Sequence, residues 1–131
     1  VVIVAVVLFL AAVALAAVGI AGLTGRLERN RWAGVRTPQS LRDDETFALA
    51  NKVAAPTMLA SAAVLAIGGL AAVLLDGALP IVAVAVALVA AFFVTAAGGT
   101  LGSKAAAALP ETSGCGTSCG ACSLKGACEP A

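Results

Sequence analysis

VAAPTMLASAAVLAIGGLAAVLL, residues 53–75, contains no charged side chain and is bounded by Lys52 before it and Asp76 after it. A helix rises ~1.5 Å per residue, so about 20 residues cover the ~30 Å hydrocarbon core of a bilayer, and this segment is long enough to span. Two further uncharged runs flank it, Val1 to Gly25 and Gly77 to Ser103. The 131-residue chain is 61% hydrophobic and 11% charged, with a mean hydropathy of +1.05. Water-soluble domains carry about 25% charged residues, so lipid is the solvent this chain is built for. Aromatic residues make up only 4%, and the runs are composed of Ala, Val, Leu and Gly, which suits close helix approach through small side chains.

The pattern predicts an all-α integral membrane protein with three transmembrane helices, a basic cytoplasmic loop and a Cys-rich C-terminal tail. The expected divisions are a first span over 1–25, a loop with a short interfacial helix over 26–55 and a second span over 56–75. A turn over 76–80, a third span over 81–103 and the tail over 104–131 complete the chain. The competing reading of the first run is a cleavable signal peptide with Ala14 to Ala17 as its processing site. The run is longer than an ordinary signal core and two more spans follow it, so a true span is expected.

Arg26, Arg29, Arg31, Arg36, Arg42 and Lys52 all lie between the first two spans, whereas the 76–80 connector holds one acid and no base. Basic residues near span ends favour the cytoplasmic side, which predicts a cytoplasmic loop, an external N-terminus and a cytoplasmic tail in the bacterial plasma membrane. Trp32, beside the basic cluster, fits an anchor at headgroup level. In the connector, Gly77 suits a left-handed helix cap and Pro80 suits a helix start, so the second and third spans are expected to be antiparallel neighbours.

Within the loop, Thr37-Pro38 predicts extended backbone, because proline disfavours helix in the residue before it. Ser40, followed three residues later by Asp43, reads as a helix N-cap with an acidic partner, and Asp43, Asp44 and Glu45 suit the positive end of the helix that follows. That helix is expected to reach about Ala54 and lie at the interface, with Pro56 opening the next span.

The stretch Asn30-Arg31-Trp32-Ala33-Gly34-Val35-Arg36-Thr37-Pro38-Gln39-Ser40-Leu41-Arg42-Asp43-Asp44-Glu45, continued by Asn51-Lys52-Val53-Ala54, resembles the signature loop of the SdpI-like family. These are membrane proteins related to the immunity protein against a bacterial sporulation-delaying toxin. Asn30, Gly34, Arg36, Thr37, Pro38, Asp44 and Asn51 occupy the family's motif places. Where the family carries aromatics, this chain departs at Gln39 and is only similar at Phe47. The resemblance implies a polytopic membrane module with a cytoplasmic loop and a role in immunity or signalling. Two readings of the loop side chains stand together. Arg26, Arg29, Arg31 and Arg36 set topology and bind anionic lipid phosphates, each near-surface base worth roughly 1 kcal/mol. Alternatively Arg36, held by the Thr37-Pro38 turn, pairs with an acidic partner or with Asp43 to Glu45.

All four cysteines fall in the tail, at Cys115, Cys119, Cys122 and Cys128, interleaved with glycines. Four thiolates can complete a zinc site or hold iron or an iron–sulfur cluster, although only Cys119 and Cys122 form a CxxC pair. Disulfide pairing and free thiols are the other two readings, and the side of the membrane discriminates among the three. The tail also resembles the cysteine-rich ends of small membrane proteins associated with ferrous iron transport.

The three runs contain no Asp, Glu, Lys or Arg, and the chain has no His. Ion paths and proton relays need such groups, and acid–base catalysis most often uses His, so a transporter or enzyme is not expected. A net charge of +1 gives no overall pull on nucleic acid. The leading expectation is a noncatalytic accessory subunit of a larger bacterial membrane complex, such as a respiratory chain assembly. Its partners would be other membrane protein subunits and anionic lipids. An SdpI-like immunity or signalling protein and a metal-binding role for the tail are the alternatives.

Overall fold

The computed structural model describes residues 1–109, which form three helices in the order α1 (Val2–Leu23), α2 (Asp44–Leu74) and α3 (Leu79–Ala108), with no strand among the described residues. All three are long and apolar enough to cross a membrane. The four cysteines belong to residues 110–131 and lie outside the described residues.

α1 is apolar on every side, as expected of a helix whose surroundings are hydrocarbon. It stops where glycine allows the chain to reverse. Gly25 takes φ +70°, the Arg26 N–H donates to the Ala21 carbonyl (3.0 Å) and the Gly25 N–H to the Gly22 carbonyl (3.3 Å). This pair of bonds is the Schellman arrangement, which satisfies carbonyls the last turn leaves open.

α2 starts one turn later than Ser40 would have it. Asp43 is the N-cap, accepting from the Thr46 N–H (2.8 Å), while the Thr46 hydroxyl accepts from the Asp43 N–H (3.1 Å). Ser40 is instead buried in the loop. The expected boundary at Pro56 is absent as well: one helix runs from Asp44 through Pro56 to Leu74, so the interfacial helix and the second span are a single rod. Pro56 cannot donate to the Lys52 carbonyl, but Lys52, Val53 and Pro56 all face outward, where the broken bond costs less than inside the bundle. At 31 residues the rod is about 46 Å long, more than the ~30 Å of hydrocarbon, so its charged first turns project beyond the core.

The connector to α3 turns at Gly77, and Pro80 sits in the first turn of α3. α3 then continues through Lys104 to Ala108, so residues 104–108, expected in the tail, are helical.

Packing places α2 at the centre: its backbone lies against both neighbours, whereas the backbones of α1 and α3 do not come within 8 Å of each other. One apolar cluster joins Leu8 and Ala12 of α1 to Leu65 of α2 and Ala91 of α3. Another, at the loop end, gathers Ala50, Ala54 and Met58 of α2 with Ala106 of α3 and Val35 of the loop. The α2–α3 seam is close because glycine lines it: a Cβ at Gly68 would strike Ala87, one at Gly98 would strike Thr57, and one at Gly102 would strike the Ala50 carbonyl. Ser61 donates to the Ala91 carbonyl (3.1 Å) and Thr95 to the Ser61 hydroxyl (2.8 Å), polar ties that suit a helix pair in an apolar medium. The outer faces carry Ile3, Val7, Leu10 and Val13 on α1 and Ile81, Val86, Phe92 and Phe93 on α3, all exposed.

Gly102→Ala is expected to destabilise the protein in detergent by about 1–3 kcal/mol, because the backbone carbonyl it meets cannot rotate away. Gly99→Ala, whose Cβ meets open space, is expected to change stability by less than ~0.5 kcal/mol, as thermal unfolding of the two variants would measure.

Candidate functional site

The loop from Thr24 to Asp43 contains no helix, yet side chains satisfy much of its backbone. Asn30 begins this. Its Oδ1 accepts from the Trp32 N–H (2.8 Å) and the Ala33 N–H (2.7 Å), and its Nδ2 donates to the Glu28 carbonyl (2.7 Å). The result is an Asx turn that points Trp32 away from the protein, with the indole 88% exposed.

Gly34 follows with φ +91°, a conformation that favours glycine, and a Cβ there would collide with the Asn51 side chain. The vacancy beside Gly34 lets the Val35 N–H donate to Asn51 Oδ1 (2.7 Å). Asn51 Nδ2 donates in turn to the Phe47 carbonyl one helical turn back (2.8 Å). Asn51 is 1% exposed, and a Cβ on Gly22 of α1 would lie 3.0 Å from its carbonyl oxygen, so α1, α2 and the loop converge on this residue.

Thr37-Pro38-Gln39-Ser40 closes on itself. The Thr37 N–H donates to the Ser40 hydroxyl (2.8 Å), the Ser40 N–H to the Thr37 hydroxyl (3.2 Å), and the Leu41 N–H to the Thr37 carbonyl (2.9 Å). The buried Ser40 hydroxyl donates to the Val35 carbonyl (2.8 Å), and Thr46 Oγ1 lies 3.3 Å from the Ser40 carbonyl. The turn therefore hangs on Val35 at one side and on the first turn of α2 at the other.

Two arginines hold the loop in place. Arg29 Nε lies 3.1 Å from Asp44 Oδ1, and Arg29 Nη1 donates to the Leu41 carbonyl (3.1 Å). Arg42 Nε lies 3.6 Å from Asp43 Oδ2, and Arg42 Nη2 donates to the Leu109 carbonyl (3.0 Å), tying the end of α3 to the loop. The Thr46 backbone N–H holds the Asp43 carboxyl below the usual carboxylate range. Partial burial opposes this, while the Thr46 side chain and the Arg42 charge reinforce it.

The expected site residues thus divide into two sets. Arg26, Arg31, Trp32, Arg36 and Pro38 are exposed, Thr37 is half-buried in its turn, and Arg29 faces Asp44. Arg36 does not pair with Asp43, Asp44 or Glu45 among the described residues: its Nη1 donates to the Arg31 carbonyl, and Arg29 and Arg42 make the acidic contacts instead. The roles of Ser40, Arg42 and Asn51 in building the loop were not read from the sequence. For Asn51 a signal existed, since an amide two residues before the uncharged run has few partners other than backbone. Among the described residues no group of His, Cys, Asp and Glu is arranged to hold a metal ion. The candidate metal ligands Cys115, Cys119, Cys122 and Cys128 lie outside them.

The sequence model of the SdpI/YfhL protein family matches residues 26–97, more than half of the chain. The match takes in the whole loop, α2 and the greater part of α3. Comparison with curated proteins and with solved structures yields no match.

Asn51→Ala is expected to cost about 1–3 kcal/mol by orphaning the buried Val35 N–H, and to speed hydrogen–deuterium exchange at Val35 and its neighbours. Asp43→Ala removes the cap of α2 and is expected to lower thermal stability. Because the folded Asp43 carboxyl titrates below its unfolded value, its contribution is complete above the ordinary carboxylate pKa. It fades as pH falls through the depressed value, a slope that acid titration of thermal stability would show in the parent and not in Asp43→Ala.

Proposed function

We propose, because this chain belongs to the SdpI/YfhL protein family, that it is a noncatalytic SdpI-like membrane protein of the immunity or signalling kind. Its loop, residues 26–43, is the surface that meets a partner. The observation that supports this is the division among the basic residues: Arg29 and Arg42 bond inward, while Arg26, Arg31 and Arg36 stand outward with Trp32 on backbone that Asn30 and Asn51 fix.

Guanidinium groups beside an exposed indole suit an acidic or amphipathic protein surface, since each guanidinium can take a carboxylate through two parallel bonds. A loop already ordered before binding loses little conformational freedom on docking, which favours recognition. The basic residues near the span ends favour a cytoplasmic loop, with α1 starting outside the plasma membrane, so the partner is a cytoplasmic protein or segment. Nothing in the fold or in the family match favours a respiratory accessory subunit over this role.

Deleting the gene is expected to change sensitivity to a peptide toxin or the transcription of a responsive gene. The combined variant Arg31→Ala, Trp32→Ala, Arg36→Ala is expected to reproduce the deletion while accumulating in the membrane at the parental level. Unchanged sensitivity and transcription in the deletion strain would remove the proposal.

A further inference from the structure

Where α1 ends against the first turns of α2, the structure holds a cleft of about 400 Å³. Thr24 and Gly25 border it on the α1 side, and Glu45, Leu49 and Lys52 border it on the α2 side, with Leu109, just past α3, closing the end. The proposed partner surface does not use these residues. Lys52 is the last charge before the uncharged run of α2, so it marks the level at which hydrocarbon gives way to headgroups. Glu45 lies seven residues earlier on the same face, two turns or about 10.5 Å farther from the hydrocarbon. Among the described residues neither is within ion-pair distance of an opposite charge.

We infer that this cleft binds one zwitterionic phospholipid headgroup, its phosphate at Lys52 and its ammonium at Glu45. The order of charges carries the inference. In such a lipid the phosphate lies next to the glycerol and the ammonium lies outermost, and the cleft offers its cation on the deeper side and its anion on the outer side. Side chains on a helix lean toward its N-terminus, so the long Lys52 side chain extends up the cleft toward headgroup level. Leu23 and Leu49 supply an apolar wall for the start of an acyl chain. An anionic headgroup could place its phosphate at Lys52 but would bring no ammonium to Glu45. The inference needs only the level of the cleft in the bilayer and holds whichever side of the membrane the loop faces.

The test uses the full chain purified in mild detergent and exposed to equal amounts of phosphatidylethanolamine and phosphatidylglycerol, with bound lipid read by native mass spectrometry. One phosphatidylethanolamine per chain is expected, retained about fivefold or more over phosphatidylglycerol. Lys52→Gln is expected to lower retention of both lipids, and Glu45→Gln to erase the discrimination between them. Leu49→Trp, which fills the cleft and leaves both charges in place, is expected to lower retention with helical content unchanged by circular dichroism. Equal retention of the two lipids by the parent protein would overturn the inference. So would retention indifferent to Glu45→Gln and Leu49→Trp, a chain that carries no lipid, or a dimer that excludes lipid.

Discussion

One side-chain amide holds the loop to the helices. Asn51 accepts from the Val35 N–H with its oxygen and donates to the Phe47 carbonyl with its nitrogen, both at buried sites. An amide places its acceptor and its donor on two different atoms, so it serves both partners at once. A carboxylate would bring a charge into a buried place and face the Phe47 carbonyl without a hydrogen to offer, and an alanine would leave the Val35 N–H with no acceptor. Gly34 and Gly22 stand close because a side chain at the first would collide with this amide and one at the second would press on its backbone carbonyl. Phe47, fully buried beside it, completes a junction where a loop with no helix of its own becomes a fixed surface.

From that junction the basic residues acquire different tasks. Arg29 and Arg42 reach acids and backbone carbonyls and act as struts, with Arg42 reaching as far as the end of α3. Arg26, Arg31 and Arg36 remain at the surface with Trp32. A set of arginines that looks uniform in the sequence is therefore sorted by where Asn30, Gly34 and the Thr37–Ser40 turn aim the backbone. Family membership and geometry meet on the same residues, since the matched region contains the loop, its anchor and the helix that carries it.

The three spans were legible because charge is excluded from hydrocarbon, and runs without charge leave a plain mark in the chain. The interruption expected at Pro56 was misleading: a proline breaks a helix through one missing hydrogen bond, and here that loss falls on an outward-facing turn the rod can tolerate. Ser40 was misplaced as a cap because both Ser40 and Asp43 have acceptable capping chemistry, and only the tertiary bonds from Ser40 to Val35 and Thr37 remove it from the helix start. The expected Arg36 ion pair failed for a related reason. Spacing along the chain says which residues are near in order, while the Asx turn at Asn30 and the left-handed Gly34 decide which way each side chain leaves the loop. The resemblance in residues 30–54 pointed to the family that the wider match identifies.

Because the backbones of α1 and α3 stay apart, the bundle is built chiefly from two seams on the two flanks of α2. The seam with α1 carries the Asn51 junction, where Gly22 lies against the Asn51 carbonyl. The seam with α3 is the one glycine closes, with Gly98 set against Thr57 and Gly102 against the Ala50 carbonyl. α2 is thus the one helix on which both seams depend.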